Sequence, residues 1–179
     1  MPWFEATVLK GLLTTTDAVN WLEGNCGLAT VQSYLPGNSP TVQQFVAFVH
    51  EYYGHHHALL RNAVVKVVVG QHCFVHAGIR PGVPLDVQNS FDLRWIRNEF
   101  LDHTGQFEKI IVHGHTPTET DLPEIYPNRI AVDTGAYGTG RLTAVVIETD
   151  EAPRFICATE RSAGYIDVAQ AIPLSMQFR

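Results

Sequence analysis

The sequence is poor in cysteine, in basic charge and in long apolar runs, and each shortage excludes something. Three cysteines, Cys26, Cys73 and Cys157, are scattered through 179 residues. An odd, widely spaced set without a CxxC pair or a Cys/His metal spacing reads as reduced, buried thiols, not as a disulfide framework or a zinc site. Twelve Lys and Arg stand against 18 Asp and Glu, for a net charge of -6. No basic stripe is therefore present to neutralise nucleic-acid phosphates or to hold an anionic membrane, so neither is expected as a partner. No apolar segment approaches the roughly 20 residues of a membrane span, and the opening MPWFE has no signal-peptide pattern, which gives the expectation of a cytoplasmic protein. Internal repeats, low-complexity tracts and linkers are also lacking. What is present, 45% hydrophobic and 17% charged, predicts one globular domain over residues 1–179 that buries about two-thirds of its unfolded surface.

Periodicity divides that domain into a mostly helical part, 1–62, a strand-rich part, 63–158, and a weakly patterned tail, 159–179. Helices are predicted at 4–13, from a Thr16-Asp17 cap through Leu22, at 28–35, and from Ser39-Pro40 to about Tyr53-Gly54 with Val42, Phe45, Val46, Phe48 and Val49 on one side. His55, His56 and His57 read as a solvated helix start, because adjacent imidazoles on a helix point in different directions and do not share one ion. The β-branched run at 64–69 and its continuation at Phe74-Val75, joined through Gly70-Gln71-His72, predict two strands, apolar on both faces and therefore covered. A helix is expected at 91–101, with Leu93, Ile96, Phe100 and Trp95 toward the core. Strands follow at 109–112 and 129–132. Gly138-Thr139-Gly140 is expected to turn a hairpin into a strand at 142–148, and 154–158 reads as the last strand.

Chemistry gathers where the strands end. His76 follows the first pair, His113 and His115 follow the third strand, and Asp133 follows the fourth, all in glycine-rich loops. Imidazole is the commonest protein ligand for divalent transition metals, and a nearby carboxylate can ligate or orient it. Arg97 or Arg80 would supply the planar fork that grips a phosphate. A divalent ion beside such an arginine points to phosphoester hydrolysis, in which the ion activates water and offsets charge developing on phosphorus.

The residues also carry a resemblance. Phe74-Val75-His76-Ala77-Gly78-Ile79, Trp95-Ile96-Arg97, Val112-His113-Gly114-His115-Thr116-Pro117 and Asp133-Thr134-Gly135-Ala136 through Gly140-x-Leu142-Thr143 resemble the bacterial and phage serine/threonine protein phosphatases of the calcineurin-like metallophosphoesterase superfamily. The four blocks stand in the family's order, within residues 21–158. The resemblance implies an α/β fold, the C-terminal part of an αββα sandwich with a mixed β-sheet flanked by helices. It implies His76 and His115 as ligands in a dinuclear manganese, iron or zinc centre, manganese foremost. Arg97 would contact the phosphate of a phosphorylated protein or small phosphoester. His113 has no fixed ligand role in the family and is expected at the rim or behind the ligands, with Asp133 also in support.

The family's DxH, GDxxDRG and GNH[DE] motifs are not in this sequence. The chain thus resembles the C-terminal part of such an enzyme, and retains no catalytic acid. Two imidazoles, even with a third group such as His113, do not make a dinuclear centre, so the chain alone is expected to be inactive or nearly so. An uncovered sheet edge is expected to drive self-association. The alternatives are hydrolysis of dinucleoside polyphosphates, a non-catalytic module that holds a phosphorylated ligand, and a structural remnant whose histidines are core groups.

Overall fold

The computed structural model describes residues 27–177, together with Asn20 and Gly24. The helices expected at 4–13 and from Thr16 to Leu22 lie outside the described residues. The chain divides into two compact units, Met1–Ala63 and Val64–Arg179. That boundary falls where the residue pattern changes from helical to β-branched.

The first unit holds α1 (Gly27–Tyr34), α2 (Val42–Tyr52) and α3 (Gly54–Asn62). Thr41, not Ser39-Pro40, starts α2: its hydroxyl accepts from Gln44 N at 3.2 Å while Gln44 Oε1 accepts from Thr41 N at 2.9 Å. Both otherwise unpaired donors of the first turn are satisfied by that exchange. Val31, Val42 and Phe45 form the buried core of this unit, with Tyr34, Val46 and Val49 against it. His55, His56 and His57 lie in the first turns of α3 as expected.

The second unit is built on a six-stranded sheet in the order β1-β2-β3-β5-β4-β9 and a three-stranded sheet in the order β6-β7-β8. Its strands are β1 (Lys66–Val69), β2 (His72–Val75), β3 (Ile110–His113), β4 (Glu124–Ile125), β5 (Arg129–Ala131), β6 (Arg141–Val146), β7 (Arg154–Glu160), β8 (Ile166–Ala171) and β9 (Leu174–Ser175). β2, β3 and β5 are parallel neighbours, whereas β1–β2 and β4–β5 are antiparallel, so the sheet is mixed. β3 is covered on both faces. Ile111 joins Cys73, Ile79, Leu93, Ile96 and Phe100 on one side, while Val112 joins Ile130 and Phe155 of the other sheet on the opposite side. Period-two alternation sends His113 to the same side as Ile111. No helix among the described residues is long and apolar enough to cross a membrane.

Four expectations fail here, each for a local reason. The strand at 64–69 is not covered: Val67, Val68 and Val69 are 46%, 48% and 61% exposed. Among the described residues β1 is the sheet's edge, paired only with β2, and belongs to neither buried cluster. The helix at 91–101 is two helices, α4 (Asp92–Trp95) and α5 (Asn98–Leu101), because Ile96 is extended (φ -59, ψ 144) and Arg97 leaves helical space (φ -130, ψ -103). The hairpin at Gly138–Gly140 is a single helical turn, α6 (Ala136–Thr139), bracketed by Gly135 and Gly140, both left-handed. Glycine adopts that conformation without steric cost, and here it moves the chain from one sheet to the other. The strand at 154–158 is not the last, since β8 and β9 follow it.

Two contacts fix the loops above this sheet. Arg80 donates from Nε and Nη2 to the two carboxylate oxygens of Asp92, at 2.7 and 2.9 Å, so its fork is engaged and Arg80 is withdrawn as a phosphate ligand. Arg80 holds the Asp92 carboxyl below its ordinary value, against the opposing effect of burial. The acid form of Asp92 loses the pair. Its stabilisation is therefore complete above the unfolded carboxyl pKa of about 3.9 and disappears as pH falls through the lowered folded value. Asp92→Asn should flatten the acid limb of a stability-versus-pH curve measured by urea unfolding, and an unchanged limb would refute the pairing. Gly78 meets the buried ring of Phe100: a Cβ there would lie 2.4 Å from Cδ1 and 2.6 Å from Cγ. Gly78→Ala should accordingly lower the unfolding free energy by about 1–3 kcal/mol, read from the shift in urea midpoint.

Candidate functional site

Because β2, β3 and β5 run parallel, their carboxyl ends open on one side, the usual position of ligand crevices in α/β sheets. Backbone hydrogen bonds sew the emerging loops together. Gly114 N donates to His76 O at 2.9 Å, Val132 N to His113 O at 3.0 Å, and Thr118 N to Asp133 O at 2.9 Å. Gly114 lies between two site residues, since a Cβ there would be 3.5 Å from Asp133 Cβ and 3.8 Å from His76 O.

The imidazoles of His76 and His115 face each other, with ring centroids 4.9 Å apart. His115 holds the left-handed conformation, φ 68, which a side chain with a Cβ adopts only where the surroundings impose it. Its ring stands edge-on to Trp95, itself 39% exposed and not in the core, at 5.5 Å, while Nε2 is buried with no partner. An Nε2 without a protein partner is available as a metal donor, as a metal-ligating imidazole requires. Burial lowers the pKa of His115, and the nearby Arg97 and His76 lower it further against Asp133. His76 lies at the surface, yet partial desolvation of its ring is the main cause of its own lowered pKa, with Arg97 adding and Asp133 opposing. Both rings are thus neutral donors near neutral pH.

Arg97 reaches the same place from the break between α4 and α5. Its Nη1 donates to Thr116 Oγ1 at 3.0 Å and lies 3.5 Å from His115 O, with the side chain otherwise exposed. Asp133 accepts from Gly135 N at 3.0 Å and acts on both rings electrostatically, without a hydrogen bond to either. Trp95 and Thr116, which contact His115 and Arg97, stand in the same motif blocks as those residues, but their sequence gives no sign of that positioning role.

His113 does not join this group at a rim. It is 1% exposed and packs edge-on against Phe100 at 4.9 Å, with Nδ1 donating to Gly114 O at 3.2 Å. Burial pushes its pKa down to about 4. Among the described residues no three His, Cys, Asp or Glu side chains converge to hold a metal ion. Two neutral imidazoles fit one divalent cation and supply part of its coordination, short of the three protein ligands usual for a catalytic zinc.

Comparison of the chain with protein-family models, with curated proteins and with solved structures finds no match.

The strained backbone at residue 115 separates the imidazole's service to the site from its service to the fold. Glycine relieves a left-handed position and a β-branched residue suffers most there. His115→Val should be less stable than His115→Gly by about 1–2 kcal/mol. Chemical denaturation of the two variants decides it, and equal midpoints would mean that residue 115 carries no strain.

Proposed function

We propose that this chain belongs to a cytoplasmic, metal-dependent phosphoesterase of the serine/threonine protein phosphatase type, and that His76, His115 and Arg97 form the part of its site that the sequence contains. One observation supports the reading above the others. Two neutral imidazoles on adjacent parallel strand ends, 4.9 Å apart and one with a buried, unpartnered Nε2, stand beside an exposed guanidinium. The two sheets packed through Val112, Ile130 and Phe155 are in keeping with the αββα architecture that the motif resemblance implies.

In this reading His76 and His115 hold a divalent ion, manganese foremost and iron or zinc otherwise, which supplies a lowered water pKa and charge neutralisation at phosphorus. Arg97 binds and orients the phosphate of a phosphorylated protein or small phosphoester. One of its nitrogens is tied to Thr116, which restrains the fork before substrate arrives. Trp95 packs edge-on against the His115 ring, and Asp133 tempers the positive potential that Arg97 imposes on both rings. The remaining ligands, the bridging carboxylate and the acid that protonates the leaving group belong to motifs absent from this sequence. The 179 residues by themselves therefore bind metal and phosphate far better than they turn over substrate; absence of the general acid alone lowers the rate by about 10²- to 10⁴-fold. The edge of β1, unpaired among the described residues and with three exposed valines, supports association with a second copy.

Isothermal titration with manganese tests the assignment. The native chain should bind one ion, and His76→Gln and His115→Gln should each weaken binding by at least about tenfold. Hydrolysis of p-nitrophenyl phosphate in manganese should stay near background. Absence of manganese binding, or binding indifferent to both substitutions, would remove the metal site. Arg97-dependent capture of a phosphopeptide in EDTA would then favour a non-catalytic phospho-ligand module.

A further inference from the structure

Behind the strand-end loops, β3 and β5 help to wall a cavity of about 670 Å³, within the size range of small-molecule sites. None of His76, His115, Asp133 and Arg97 lines it, and it adjoins the crevice at Thr116, which holds Arg97, and at Thr118, whose N–H donates to the Asp133 carbonyl. Its charge is lopsided. Among the described residues Asp102, Glu119 and Glu124 share the wall with one cation, Arg129, so three carboxylates against one guanidinium leave two negative charges in excess.

Arg129 is already engaged by the protein. It is 4% exposed, its guanidinium carbon lies 3.6 Å from the Tyr126 ring centroid, and Nη1 donates to Asn128 Oδ1 at 3.2 Å. Glu124 is 5% exposed and fixed in place, accepting from Thr120 Oγ1 at 2.8 Å and from Tyr126 Oη at 2.7 Å. Each carboxylate oxygen keeps a lone pair beyond those bonds.

Two further polar atoms in this wall are buried without partners: Nε2 of His113 and Oγ1 of Thr118. Because Nδ1–H of His113 donates to the Gly114 carbonyl, Nε2 carries a bare lone pair and only accepts. Native proteins rarely leave such atoms unsatisfied, since a buried acceptor without a donor is destabilising. A guest rich in N–H donors satisfies both atoms and also answers the excess of carboxylate. A neutral polyol would satisfy the lone pairs and leave the charge. An anion would be repelled.

We infer that this cavity is a binding site for a small organic cation bearing ammonium or guanidinium N–H donors, held by Glu124, His113 and Thr118. The inference stands apart from the phosphoester reading, because no residue proposed to hold metal or phosphate lines the cavity.

The test is isothermal titration of the 179-residue chain in EDTA with agmatine, which carries both a guanidinium and an ammonium group, against glycerol and inorganic phosphate. Agmatine should bind saturably at one site, and glycerol and phosphate should give no saturable heat. Amide spectra of the labelled chain should shift at His113 and Thr118. Thr118→Val, which keeps the side-chain shape, and Glu124→Gln, which keeps its size, should each weaken agmatine by about tenfold or more. Should Glu124→Gln fail to fold, Thr118→Val decides. Absence of saturable agmatine binding, equal binding by glycerol, or affinity unchanged in a folded Thr118→Val would overturn the inference.

Discussion

Parallel pairing of β2, β3 and β5 is the constraint on which the rest of this structure depends. Parallel strands turn their carboxyl ends to the same side, so the segments that leave them emerge together and satisfy one another's backbone groups. Gly114 bonds to His76, Val132 to His113, and Thr118 to Asp133. The burial of β3 on both faces holds that pairing in register. Ile111 belongs to the cluster under α4 and α5 and Val112 to the cluster shared with the second sheet. A slip of one residue would exchange them and put every side chain of β3 on the wrong side. What locks Ile111 and Val112 therefore also locks the histidines that follow.

The electrostatics of the strand-end crevice follow from what gathers there. Two imidazoles and a guanidinium in a partly desolvated space oppose protonation of either ring, and Asp133 offsets this only in part. The rings stay neutral, which is the state in which imidazole donates a lone pair. The left-handed backbone at His115 serves the same end by holding the ring edge-on to Trp95 with Nε2 free of protein partners. Local strain persists where the surrounding packing over-determines it, and here the surroundings are the β3 register and the Trp95 turn.

Much of this was legible in the residues, and the failures have physical causes. β2, β3 and β5 are short, largely apolar runs that stop at His76, His113 and Val132-Asp133, so strand and loop chemistry change at a visible point. β1 misled because a run apolar on both faces reads the same at a sheet's centre and at its edge. The break at Ile96-Arg97 had no signal, since neither residue is a helix breaker and tertiary contacts set the bend. Arg80 looked available only because its partner, Asp92, lies twelve residues away. β8 escaped notice since its apolar residues, Ile166 and Val168, sit among polar and small ones and remain exposed. The glycines at 135, 138 and 140 advertise a turn without saying that it is helical and changes sheet.

The histidine pair at 113 and 115 shows best how a motif and a structure differ. Two residues apart on a regular strand, both rings would face the same way. His113 is the last residue of β3 and keeps the strand's alternation, so its ring goes inward against Phe100. His115 lies past the strand's end at φ 68, and that reversal swings its ring out toward His76. One tripeptide thereby serves two environments. Burial alone would leave His113 inert, yet its single donor is spent on Gly114 and its lone pair is left in the wall of an acidic cavity. The backbone angle of one residue, not the identity of either histidine, decides which imidazole faces the crevice and which faces the cavity.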